Sequence, residues 1–225
     1  MKAERASLLR SILYPLLFVL LLWLIKGAEL VFHLGFETFG LHPLHWEGLW
    51  GIATAPLLHA GISHLFANSV PLLILGSFLF YSYREIAWQV ILLIYFMTGL
   101  WVWFLGRPDS VHIGASGLVY GMAAFLFTSG IIRRDVPLMA VTLLVTFLYG
   151  GMIWGVFPQL FPLEKISWES HLMGLLAGFI LAFFYRKSGP KRKKYDWEYE
   201  EEEEEEEEEP SQEPGKEQSG GMSPE

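Results

Sequence analysis

The chain of 225 residues contains no cysteine. That excludes a disulfide framework and a thiolate nucleophile, and it leaves the redox compartment unconstrained. No His-Glu-x-x-His run is present either, so the commonest helical zinc-hydrolase pattern is missing. Charge is scarce over most of the length. Up to Lys194 there are 15 Lys and Arg against 9 Asp and Glu, while the remainder carries 15 acidic residues and one lysine. The formal net charge of −8 therefore describes a C-terminal tail and not the part that folds. The tail in turn lacks any extended hydrophobic run, and a block such as Glu201–Glu209 repels itself with nothing to bury. We expect a membrane domain over 1–189 and a cytoplasmic tail over 190–225, basic at first (KSGPKRKK over 187–194) and then acidic and disordered.

What is abundant is apolar sequence, at 52% of residues with 16% aromatic. A membrane helix needs about 20 mostly apolar residues. Six stretches meet that need, over 11–31, 63–83, 87–105, 114–131, 136–156 and 169–186. The first follows Lys2, Arg5 and Arg10 in the manner of a signal peptide, but no small-x-small cleavage site follows it, and it reads as a retained span. The fold class expected is all-α, a polytopic six-helix membrane bundle. With the N-terminus cytoplasmic, twelve Lys and Arg from Lys2 to Lys194 collect inside, and only Lys26, Arg107 and Lys165 stay outside. That bias places both termini in the cytoplasm. Residues 32–58 are too punctuated to span. Their Phe36, Phe39, Leu41, Trp46 and Trp50 point to a loop partly immersed at the outer interface.

Polar side chains inside spans are costly to keep, so they mark candidate function. His64, Asn68, Ser116 and His171 lie on three different spans and share one depth in the outer half of the bilayer. A serine hydroxyl becomes a useful nucleophile when a base takes its proton, and histidine titrates in the right range. Gly117 and Gly121 on one helix, and Gly174 and Gly178 on another, give two small-residue faces four apart that permit close approach. Tyr120, four residues after Ser116, is placed to support the His171 ring. Asp109, Glu164 and Glu169 are the acidic residues near enough to orient that histidine, and none has a persuasive spacing, which leaves a dyad. His64 and Asn68 share a helix face and offer two neutral donors to a developing oxyanion, with the Ser116 backbone N–H as a third. The competing readings are a serine bonded to its own helix and a His–Asn pair that ties loops together. His59, His64, His112 and His171 supply imidazoles without a carboxylate or thiolate beside them, a poor metal set.

The combination His64-x-x-x-Asn68, Gly114-x-Ser116-Gly117 and His171-x-x-Gly174-x-x-x-Gly178, spread in order over successive spans, resembles the rhomboid intramembrane serine proteases in their six-span, bacterial-type form. The resemblance covers residues 10–186. It implies that Ser116 is the nucleophile and His171 the general base and acid, with no acidic third member. It further implies that His64 and Asn68 bind the oxyanion, that Tyr120 packs on the base, and that His59 has a structural or water-handling role. The implied reaction is cleavage of single-span membrane proteins near the outer end of their helices, in a bacterial inner membrane, with no cofactor, metal or nucleic acid. One departure is that Trp46 and Trp50 are not followed by the arginine that many members carry in the first loop. The rival readings are an inactive rhomboid-like protein that binds membrane clients, although such relatives typically lack the serine or the histidine, and a small transporter. A transporter would want charged residues in the spans or an inverted repeat, and neither is apparent.

Overall fold

In the computed structural model the described residues are 2–148 and 167–189. Among them the regular structure is helical: α1 (Lys2–Phe32), the short α2 (Gly51–Thr54), α3 (Ile62–Ser82), α4 (Ala87–Leu105), α5 (Ser116–Arg133), α6 (Val136–Leu148) and α7 (Trp168–Phe184). Single 3-10 turns at Phe36–Phe39, Trp46–Trp50 and Ala55–Leu57 fill the first long connection. A helix satisfies its own backbone polar groups, which is what hydrocarbon demands of any spanning segment. Four helices, over Ser7–Phe32, Ile62–Ser82, Ala87–Leu105 and Ser116–Arg133, are long and apolar enough to cross a membrane. Val136–Phe147 and Trp168–Phe184 are apolar but shorter. At 1.5 Å per residue the 17 residues of α7 rise about 26 Å, a little under the hydrocarbon thickness. Glu164, the end of the expected fifth span and the tail from residue 190 lie outside the described residues.

The helix limits have local causes. After α4 come Gly106 and Pro108, and proline ends the helical path. α5 closes on Arg134 in the left-handed region at φ 54°, with the Asp135 N–H returning to Gly130 O at 2.9 Å. Asp135 then caps α6, its Oδ1 accepting the Leu138 N–H at 3.1 Å, and Pro137 stands in the first turn where an N–H is not needed.

α5 is the centre of the bundle. Of its apolar stretch 67% is buried, against 22% for α1 and for α4, so those two present most of their surface outward. Exposed Leu9, Leu17, Leu24 and Phe32 on α1, Leu92, Phe96 and Phe104 on α4, and Phe179 and Phe184 on α7 form apolar faces that suit lipid and not water. Phe125, Met122 and Leu126 of α5 are fully buried against Leu75 and Leu79 of α3, Val90 and Ile94 of α4 and Leu181 of α7.

The tightest seam is α5 against α7. A methyl group built on Gly174 would run into the Gly117 carbonyl oxygen, and one on Gly178 into that of Gly121. From the other side, a methyl on Gly117 would stand 3.0 Å from Ser170 O and 2.8 Å from Thr98 Cγ2. Glycine at these positions lets two backbones touch, so packing that elsewhere uses side chains uses main chain here. At the far end of the same helices Arg133 fastens the bundle, its guanidinium 5.6 Å from the Tyr83 ring centre and donating to Tyr185 O at 3.2 Å and Arg186 O at 3.1 Å.

Gly178→Val forces α5 and α7 apart at a backbone-to-backbone contact. Overpacking of this kind costs about 1–3 kcal/mol or more, so thermal unfolding in detergent is expected several degrees below the parent, while Leu176→Val on the exposed face of α7 should leave it unchanged.

Candidate active site

α3, α5 and α7 begin, and α1 and α4 finish, at one end of the bundle, and the polar side chains collect there. Ser116 is the first residue of α5, so its Oγ projects from a helix start and its N–H is one of those without an intrahelical acceptor. His171 stands on the first turn of α7, its own N–H bonded to Ser167 O at 3.3 Å. Its Nε2 lies 2.8 Å from Ser116 Oγ, a hydrogen bond of ordinary length across two helices. The imidazole is buried and stacked on the Tyr120 ring, centroids 4.2 Å apart and planes 11° off parallel. That stack fixes the ring plane, and the glycine seam below fixes the distance between the two helices.

Gly114 shapes the approach to Ser116. Its φ of +115° is open to glycine and strained for other residues. Its N–H donates to Ala55 O at 2.8 Å, which ties this turn to the end of the first loop. A methyl on Gly114 would sit 2.7 Å from His64 Cε1 and 2.9 Å from its Nε2, so the His64 ring lies directly on the backbone two residues before the serine. Asn68, one turn along α3, is buried and donates one amide N–H to His64 O at 3.0 Å, leaving its other N–H available. His59 packs edge-on against His64 at 5.2 Å between ring centres, and its Nε2 accepts the Ala115 N–H at 3.5 Å. The structure thus brings Ser116, His171, Tyr120, His64, Gly114 and His59 to one end of the bundle, with Asn68 a turn behind. Of the acidic residues, Asp109 is exposed and Glu169 is buried in an ion pair with Arg107, Nε to Oε1 at 2.5 Å.

A family model described as Rhomboid domain matches residues 47–188. The chain belongs to the rhomboid family. Among similar proteins, uncharacterized protein Rv1337 of Mycobacterium tuberculosis is 38% identical over 184 residues, which cover 79% of this chain and 75% of that one. An uncharacterized protein of Mycobacterium leprae is 35% identical over 79% of this chain and 72% of its own length. RHOMBOID-like protein 2 of Arabidopsis thaliana is 28% identical over 69% of this chain and 47% of its own length. With its apolar helices, the rhomboid domain makes this an integral membrane protein.

Three polar arrangements in this rhomboid escaped the sequence reading. Lys26, which reads as an exposed outer charge, is buried on α1; its Nζ donates to Glu29 Oε2 and to His59 O, both at 2.9 Å. Arg107 pairs with Glu169 across 62 residues. His112 is buried between Ser110 and Ser167. The Lys26–Glu29 pair has an i, i+3 spacing that a helix reading could find. The other two join loop residues to α7, where periodicity carries no signal.

Burial first, then the His64 ring beside it, lowers the His59 imidazole to about pKa 4 from an ordinary 6.5. The unfolded chain therefore takes up this proton at a higher pH than the folded one. Stability from His59 is full above about pH 6.5 and is lost as pH falls toward 4, by about 3 kcal/mol at most. Melting temperature in detergent should drop over that window in the parent and drop less in His59→Gln. Equal pH dependence of the two proteins would contradict the assignment.

Proposed function

We propose that this rhomboid is an intramembrane serine endopeptidase that cuts single-span membrane proteins near the outer end of their helices through a Ser116–His171 dyad. The observation that carries the reading is the 2.8 Å contact between His171 Nε2 and Ser116 Oγ, with Tyr120 stacked on the imidazole. In the proposed mechanism Ser116 Oγ attacks the scissile carbonyl carbon while its proton passes to His171 Nε2. Charge develops on the carbonyl oxygen, and the donors assigned to it are the His64 ring, the free N–H of Asn68 and the Ser116 backbone N–H. Collapse expels the amine, which takes the proton back from His171. A water molecule, deprotonated by the same imidazole, then attacks the acyl-enzyme and frees Ser116. Gly114, Gly117, Gly121, Gly174 and Gly178 serve this chemistry by permitting the close approaches that align it.

The topology we assign has six spans, α6 and α7 completing the set, with both termini in the cytoplasm of a bacterial cell and the dyad in the outer half of the inner membrane. A position near the outer surface gives water a short path. Substrate is proposed to enter between α3 and α6, which among the described residues touch over a much shorter stretch than α5 and α7. Its helix must unwind there, because a helical peptide bond keeps its carbonyl engaged. Residues 190–225 are assigned as a cytoplasmic tail that takes no part in catalysis.

The test is cleavage of a single-span substrate in liposomes by the purified protein and its variants. Ser116→Ala and His171→Ala should show no cleavage. Asn68→Ala should lose about 100-fold or more in kcat, on the scale of a single oxyanion donor. Cleavage that survives Ser116→Ala would overturn the reading. A folded parent that binds the substrate without cutting it would favour a client-binding role instead.

A further inference from the structure

His112 is a buried ionisable group that the mechanism above does not use. It lies on the connection that carries the nucleophile, four residues before Ser116. Its backbone is pinned to the first loop, with the Leu41 N–H donating to His112 O at 3.0 Å and the His112 N–H to Leu41 O at 2.9 Å. Its ring is held on both nitrogens: Nε2 is 2.8 Å from Ser110 Oγ and Nδ1 is 2.5 Å from Ser167 Oγ. Ser167 is the N-cap residue of α7, and its hydroxyl donates to Ser170 Oγ at 2.7 Å, one residue before His171. One imidazole therefore spans from the nucleophile's connection to the helix start that carries the proposed base.

The proton count shows that this bridge holds in either charge state. The Ser110 hydroxyl gives its proton to Arg107 O at 2.6 Å, so the bond to His112 requires Nε2–H as donor. With Ser167 donating to Ser170, Nδ1 is also a donor and the ring is cationic. With a neutral ring the two hydroxyls turn, so that Ser170 donates to Ser167 and Ser167 to Nδ1, and no bond is lost. Burial holds the His112 pKa below its ordinary value, which makes the neutral arrangement the resting one. The charged and titratable groups facing the ring are Glu169, Arg107 and His42. Beside it the Arg107–Glu169 ion pair makes a second tie between the same two segments.

We infer that His112 is a positioning residue: through Ser110 and Ser167 it clamps the turn before Ser116 to the N-terminus of α7 and so sets the Ser116–His171 distance. The inference rests on the proteolytic reading. It deepens that reading by adding to the glycine seam a second, lateral tie between the helix starts that carry the dyad. A residue acting this way affects the chemical step more than substrate capture, since small misplacement of reacting groups costs up to about 100-fold in rate.

The experiment measures kcat and KM of the full chain in liposomes for His112→Ala, Ser167→Ala, the double variant and His112→Gln, with melting temperature alongside. Ser167→Ala removes one hydroxyl, so it remains informative if His112→Ala fails to fold. The expected result is a fall in kcat of about 10- to 100-fold in each single variant with KM nearly unchanged. The double variant should be no worse than the poorer single one, because both remove the same tie. His112→Gln, which keeps a donor and an acceptor, should recover part of the loss. Parental kcat in a folded Ser167→Ala, additive losses in the double variant, or a change confined to KM would each overturn the inference. A parent that cleaves nothing would remove the proteolytic reading and this one together, whereas an active parent with an unaffected Ser167→Ala removes this one alone.

Discussion

The contact on which the rest depends is main chain against main chain, where Gly174 and Gly178 of α7 lie on the carbonyls of Gly117 and Gly121 of α5. In lipid no hydrophobic force draws helices together, since tails are as apolar as side chains. Close packing and small residues do that work instead. The seam brings the helix axes near enough for a serine and a histidine at the two helix starts to share a 2.8 Å bond. Any β-carbon in the seam would widen the gap that this bond spans.

Around the seam, several polar groups at the end that holds Ser116 are paired across elements. Lys26 joins α1 to the loop before α3 through His59 O, and His59 in turn receives the Ala115 N–H beside Ser116. Arg107 and His112 join the loop before α5 to the start of α7. Buried polar groups without partners cost about 1–3 kcal/mol each, so these ties favour one arrangement of the helix ends over nearby alternatives. Two of the three cations assigned to the outer side, Lys26 and Arg107, are thereby paired with Glu29 and Glu169.

Much of the fold was legible in the sequence because hydrocarbon imposes a length and a composition that any reader can count. The stretch 87–105 coincides with α4, and the starts of α3 and α7 fall one residue from expectation. α1 begins earlier than its apolar run, at Lys2, since charged residues extend a helix without altering hydropathy. Four of the six expected stretches are long and apolar enough to span as described. At the candidate site, the serine, the histidine and both glycine pairs could be paired from helical spacing, and the family match over 47–188 agrees with the resemblance read from those motifs. The His112–Ser167 and Arg107–Glu169 ties could not be read, because a loop residue and a partner at the start of α7, 55 or 62 positions apart, meet only once the helices have packed.

The central proposal is that Ser116 is a nucleophile activated by the His171 ring that lies 2.8 Å from its Oγ. It is tested most directly by reacting the protein in detergent with a fluorophosphonate that captures serine nucleophiles and mapping the modified residue by mass spectrometry. The account predicts modification at Ser116 alone, abolished in His171→Ala while that variant keeps its fold. Modification at another serine, or undiminished capture of Ser116 without His171, would contradict it.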